Sequence, residues 1–369
     1  MFSSRLKWET ATNRLMQAVE ARRASGDPIL DLTQSNPTQA AIVYPADVLA
    51  ALSDPRAMLY DPDPRGLLFA RDAVARHFGC DLRRVVMTAS TSDAYSWLFK
   101  LLCDPGDEIL VPRPSYPLFD YLAALESVNV KQYPLRYHEG WWLDLEDLER
   151  AITPKSRAIV VVNPNNPTGS YVKTEEAARL NAMCRKYDLA LISDEVFSGY
   201  VLDGEAHSLL DNDGALTFCL NGLSKLIGLP QMKLGWIIAG GPGHEEALSR
   251  MEHIADTYLS VGTPVQYALP SLLALRPSIE GQIRERCRTN LARLDGALHV
   301  EGGWYAVIQV PRTRTEEEWA LLLLEKHGVL VQPGYFYDFE REAFLVLSLL
   351  TEPGAFEEGT RRIRDAITA

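Results

Sequence analysis

The sequence predicts an α/β fold, a mostly parallel sheet flanked by helices, joined to a smaller α+β unit. Two observations carry this. From about residue 85, short apolar runs alternate with amphipathic stretches, the pattern of βα units that wind a sheet in both directions. Residues 158–162, Ala-Ile-Val-Val-Val, are apolar at every position, as a strand buried on both faces requires. At 369 residues the chain exceeds one average domain, and two are expected.

Taken in order, residues 4–24 read as an amphipathic helix. Leu30-Asp31-Leu32-Thr33 then enters a turn at Ser35-Asn36-Pro37-Thr38. A strand at 85–88 precedes a helix at 91–102, and a strand at 108–111 precedes a helix at 116–125. A strand at 128–133 is followed by a helix around 145–152. The run 158–162 leads to a helix at 175–187 and a strand at 189–193, and 217–220 and 234–239 add two more strands. After about 268 the pattern changes. A charged helix at 279–298 precedes a strand at 305–310, a helix at 316–327, strands at 329–331 and 344–349, and a last helix. The N-terminal segment is expected to pack on this unit. The large domain is then 41–267, and a discontinuous small domain combines 1–40 with 268–369.

Composition narrows the partners. Apolar residues make up 47% and charged residues 23%, an ordinary globular mix. A formal net charge of −12, with no basic run, argues against a nucleic-acid partner. Cys80, Cys103, Cys184, Cys219 and Cys287 are scattered, without metal-binding or disulfide spacing, as in a reducing compartment. The opening MFSSRLKWETATNRL lacks the apolar core of a signal peptide, and no window reaches the length of a membrane span. A cytoplasmic protein without membrane or metal is expected.

Lys225 lies in a turn between the apolar runs 216–220 and 234–239. Burying an ammonium is costly, and a neutral amine in a dry pocket forms a Schiff base. Alone, a Ser-Lys pair is more often a surface loop, so the rest of the chain has to decide. Asn163-Pro164-Asn165-Asn166-Pro167-Thr168-Gly169 closes the apolar strand in a rigid loop that carries Asn166. Asp194 ends the next strand, where a carboxylate can pair with a protonated ring nitrogen. Ser90, Thr91 and Ser92 start a helix, whose free N–H groups suit a phosphate. Tyr116, in Arg113-Pro114-Ser115-Tyr116-Pro117, offers a flat face to a planar ring.

In this order, Ser90/Thr91, Tyr116, Asn166, Asp194, Lys225, the chain resembles the class I/II aminotransferases, the fold-type I pyridoxal-phosphate enzymes. The resemblance runs from Asn36-Pro37 to the C-terminal helix. It includes Cys103-Asp104-Pro105-Gly106-Asp107-Glu108 and Gln332-Pro333-Gly334. It implies pyridoxal 5′-phosphate, with Lys225 as covalent anchor and proton carrier and Asp194 on the ring nitrogen. It further implies Asn166 on the ring oxygen, Tyr116 against the ring, and Ser90–Ser92 on the phosphate. Tyr60 matches the tyrosine that reaches the neighbouring subunit's phosphate, so a homodimer with shared sites is expected.

Four departures stand out. Phe197 replaces a tyrosine that bonds the ring oxygen. Lys233 replaces a phosphate-binding arginine, keeping charge but losing the bidentate fork. Gly222 stands where a phosphate-binding serine is common, leaving only its N–H. Val346, in Phe344-Leu345-Val346-Leu347-Ser348, replaces the arginine that clamps the substrate carboxylate. Arg113 and Arg65 are the candidate substitutes, with Asn36 and Asn166 beside the substrate. The expected reaction moves an amino group between an amino donor and a 2-oxo acid; β-elimination or decarboxylation on the same scaffold is the alternative. A regulator with a DNA-binding domain ahead of this fold is not expected, because little more than about 30 residues precede Asn36.

Overall fold

Side chains alternate across the pleat, and both faces of the sheet are packed. In the strand Ser156–Val162, Ala158, Val160 and Val162 enter one apolar cluster and Ile159 and Val161 another. A computed structural model describes residues 2–8 and 12–368. Its strands, in chain order, are β1 Leu30–Asp31, β2 Val85–Thr88, β3 Glu108–Arg113, β4 Asn129–Tyr137, β5 Trp141–Leu143, β6 Ser156–Val162 and β7 Ala190–Asp194. β8 Thr217–Gly222, β9 Gly235–Gly240, β10 Tyr305–Gln309, β11 Val329–Leu330, β12 Gln332–Pro333 and β13 Phe344–Ser348 follow.

Eight strands form the main sheet in the order β2-β9-β8-β7-β6-β3-β4-β5. Neighbours from β8 through β4 run parallel. β9 is antiparallel to both β8 and β2, and β5 is antiparallel to β4. The carboxyl ends of β2, β3, β6, β7 and β8 therefore share one edge with the start of β9. Ligands of such sheets bind at that edge.

Beyond the main sheet, β10-β13-β12 form an antiparallel sheet and β1 pairs in parallel with β11. One apolar cluster joins Leu15, Val19 and Leu32 of the N-terminal segment to Ile279, Ile283, Phe356 and Ile363. Among the described residues no helix is long and apolar enough to cross a membrane, and no group of three His, Cys, Asp or Glu could hold a metal.

Several elements differ from expectation. The helix expected over 4–24 is the helix Arg14–Ser25, preceded by a short 3-10 turn at Ser4–Leu6. Asn13 caps it, its Oδ1 accepting from the Met16 N–H at 2.8 Å. Residues 9–11 of that expectation lie outside the described residues, as do 1 and 369 of the expected small domain. The helix expected from 116 starts at Phe119, beyond Pro117. The helix expected over 279–298 is Arg276–Ala292. Helices Leu68–Phe78, His244–Tyr258 and Thr263–Ala274 come in addition to those expected; the last carries Pro270 inside it, which breaks the helical sequence pattern.

Candidate active site

A cleft of about 310 Å³ opens at the shared strand edge, at the small end of the usual size for small-molecule sites. Ser90, Thr91, Ser92, Tyr116, Asn166, Asp194, Phe197, Gly222, Lys225 and Lys233 all line it. Each comes from a strand end. Ser90 caps the helix Thr91–Leu102, its hydroxyl accepting from the Asp93 N–H at 3.2 Å. The β8–β9 hairpin carries Gly222, Lys225 and Lys233 within one connection.

Burial lowers the pKa of Lys225, opposed by the charge of Asp194. Its ammonium lies 5.3 Å from the centre of the Trp304 ring and 5.8 Å from that of Phe197. The backbone is pinned by the Tyr200 hydroxyl, which donates to the Lys225 carbonyl at 2.6 Å. Asp194 accepts from the Tyr95 hydroxyl at 3.0 Å and from the Val196 N–H at 3.2 Å. Desolvation nonetheless pushes its pKa up to about 6. Asn166 is buried, and its Oδ1 has no hydrogen-bond partner. The residue lines the cleft, where its amide nitrogen is the end that can donate to an oxygen of a ligand.

The opposite end suits an anion. Ser90, Thr91 and Ser92 present hydroxyls and a helix N-terminus. Lys233 faces the same cleft from a left-handed backbone, φ 49°, a conformation that costs a non-glycine residue roughly 1–2 kcal/mol. A Cβ on Gly222 would meet the Leu234 carbonyl at 2.8 Å. The expectation that the Gly222 N–H is free for phosphate is corrected, because it donates to Asn221 Oδ1 at 2.7 Å. A carboxylate, an amide donor, a desolvated amine and an anion-binding end, all in one cleft, fit a phosphorylated pyridine aldehyde.

The sequence model for the aminotransferase class I and II family matches residues 27–357. The chain belongs to this family. An alanine aminotransferase of Mycobacterium bovis is 33% identical over 345 residues, covering 84% of this chain and 79% of that protein. A glutamate–pyruvate aminotransferase of Escherichia coli is 31% identical over 277 residues, covering 70% of this chain and 67% of that protein. The solved structure of an alanine aminotransferase from Pyrococcus furiosus superposes over 100% of both chains, with a TM-score of 0.88 at 26% identity. The chain is accordingly an aminotransferase, moving an amino group between an amino donor and a 2-oxo acid.

Not every expected residue of this aminotransferase reaches the cleft. Arg65 bonds Glu252 at 2.8 Å, and Arg113 bonds Glu340 at 2.5 Å; neither lines it. Asn36 turns back on its own loop, its Oδ1 accepting from the Thr38 hydroxyl at 2.7 Å. These three substrate assignments are corrected: local acidic or hydroxyl partners hold each side chain. Tyr60, expected to reach a neighbouring subunit's phosphate rather than this cleft, is 77% exposed. Val346 is fully buried between Val307 and Gln332 of the neighbouring strands. Trp141 and Trp142 lie on β5 and do not line the cleft, whereas Tyr305 does. The sequence reading missed Ser35 and Tyr95, which also line it. Tyr95 follows Thr91 by one helical turn, a spacing that puts both on one face.

Proposed function

We propose that the cleft holds pyridoxal 5′-phosphate and uses it to transfer an amino group from an amino acid to a small 2-oxo acid such as pyruvate. One observation carries this: the desolvated amine of Lys225 shares a cleft with Asp194, Asn166 and the Ser90–Ser92 helix start. When bound, this cofactor supplies an aldehyde that receives the amino group and a ring that spreads the charge left on the donor's α-carbon. Lys225 supplies the anchoring amine, and its Nζ takes and returns the α-proton. Asp194 pairs with the ring nitrogen, Asn166 with the ring oxygen, and Tyr116 lies against the ring. Ser90, Thr91, Ser92 and Lys233 hold the phosphate. Phe197 offers the ring oxygen no hydrogen bond.

Pyruvate is supported by the names of the M. bovis and E. coli relatives, one an alanine and the other a glutamate–pyruvate aminotransferase. On the donor side, Ser35 and Tyr305 offer hydroxyls to the donor's carboxylate. Burial pushes Tyr305 up to about 12, so it stays a neutral donor. A donor without an α-carboxylate is the second reading, favoured by buried Val346 and by the engaged Arg65 and Arg113. Purified enzyme given pyruvate with alternative donors tests both. Alanine formed from amino acids supports the first, and alanine formed only from plain amines supports the second. Release of ammonia and pyruvate from an amino acid without any added 2-oxo acid would defeat both.

The same reading includes a cytoplasmic homodimer serving amino acid metabolism, with the large domain at 41–267 and the rest in the small one. Dimerisation is supported by exposed Met58, Leu59 and Tyr60, at 91%, 69% and 77%. The molar mass in solution checks it.

A further inference from the structure

Among the described residues no guanidinium or ammonium is bonded to Asp194; neutral groups hold it. Its Oδ1 accepts from the Val196 N–H, and its Oδ2 from the Tyr95 hydroxyl at 3.0 Å. Tyr95 is 3% exposed. Its ring meets Phe119 edge-on at 5.4 Å and Phe99 at 5.8 Å, so packing holds the ring that carries the hydroxyl. Burial raises its pKa well above 10, so it remains a donor at any working pH. It also sits one turn into the helix that Ser90 caps, the helix that faces the phosphate end of the cleft. One rigid element therefore touches both ends of the site.

We infer that Tyr95 is a positioning residue: its hydroxyl orients the Asp194 carboxylate and keeps it ionised, so that the remaining lone pairs face a cationic ring nitrogen. The inference rests on the cofactor reading above. The geometry divides the work. Each carboxylate oxygen spends one lone pair on a neutral donor, which leaves one on each for the ligand. The charges of Lys225 from the hairpin and of Glu195, whose carboxylate is held by Ser193, Ser208 and Leu209, act on Asp194 with opposite effects, and Tyr133 acts on Tyr95 from β4. Removing the phenol hydroxyl leaves their charges in place and removes a donor that favours the carboxylate.

The test uses Tyr95→Phe, which keeps the ring and its packing. Apoenzyme is titrated with pyridoxal phosphate, and with an analogue whose ring nitrogen is replaced by C–H, by quenching of protein fluorescence between pH 5 and 8. Thermal melting checks that the variant is folded. The expected result is roughly 10- to 100-fold weaker binding of pyridoxal phosphate, the size typical of a bond to a charged acceptor. The analogue should bind the variant and the wild type alike. The inflection assigned to Asp194 should also move to higher pH in the variant. Equal loss for both compounds would mean that Tyr95 only packs, and unchanged binding of pyridoxal phosphate would equally overturn the inference while leaving the cofactor reading intact. Wild-type protein that binds neither compound would overturn the cofactor reading and this inference together.

Discussion

Replacing Asp194 by asparagine should stabilise the cofactor-free protein while destroying its function. Desolvation carries the carboxyl from 3.8 in free solution to about 6 in the fold. Between those values the folded protein binds more protons than the unfolded chain. Its stability is therefore full below about pH 4 and falls as pH rises through about 6. At about 1.4 kcal/mol per pH unit, the whole cost is about 3 kcal/mol. Water in the cleft screens part of it, leaving about 2 kcal/mol at neutral pH. The substituted amide carries no charge to desolvate, and its oxygen still accepts from the Val196 N–H. Urea denaturation of both apoenzymes from pH 4.5 to 8 measures the difference. It should be smallest at the acid end and grow by about 1–1.5 kcal/mol towards pH 7.5, because part of the cost is already present at pH 4.5. A difference that stays flat with pH would refute the claim that an unneutralised buried charge sits in the cofactor-free cleft. With pyridoxal phosphate added, the order should reverse, because a cationic ring nitrogen then faces only the wild-type carboxylate.

Lys225→Ala should lower the transamination rate by at least about 100-fold, within the range of a lost general acid–base group; a variant within tenfold of wild type in a coupled alanine assay would remove Lys225 from the chemistry. Lys233→Ala should weaken pyridoxal phosphate binding about tenfold or more, and Lys233→Arg should retain it, as read by equilibrium dialysis. Gly222→Ser should cost about 1–3 kcal/mol, because its Cβ would meet the Leu234 carbonyl at 2.8 Å, and the shift in urea midpoint reports it. Arg65→Ala should leave KM for the amino donor unchanged, since the guanidinium bonds Glu252 outside the cleft; a severalfold rise would restore it to the substrate site.

The parts of the site legible in the sequence are those on strand ends. Apolar runs reveal where β6, β7 and β8 stop, and the next residues, Asn166, Asp194 and Lys225, fall at one edge by topology alone. What escaped depends on contacts between distant positions. Tyr95 is 99 residues from Asp194, and nothing local in Thr91–Leu102 distinguishes it from a core tyrosine. Arg65 looks like a free cation in the sequence because its partner, Glu252, lies 187 residues away, on a helix the sequence pattern does not reveal. The Gly222 N–H looks available because its acceptor is a side chain, Asn221, whose direction only the fold defines. Secondary structure is misread where local signals conflict, as with Pro270 inside Thr263–Ala274.

The pairing of β1 with β11 also sets a timetable. Leu30 bonds alongside Val329, about 300 residues later in the chain. At roughly 5–20 residues per second of synthesis, the first strand is made between about 15 and 60 s before its partner exists. Leu15, Val19 and Leu32 lack their partners around β11 throughout that interval.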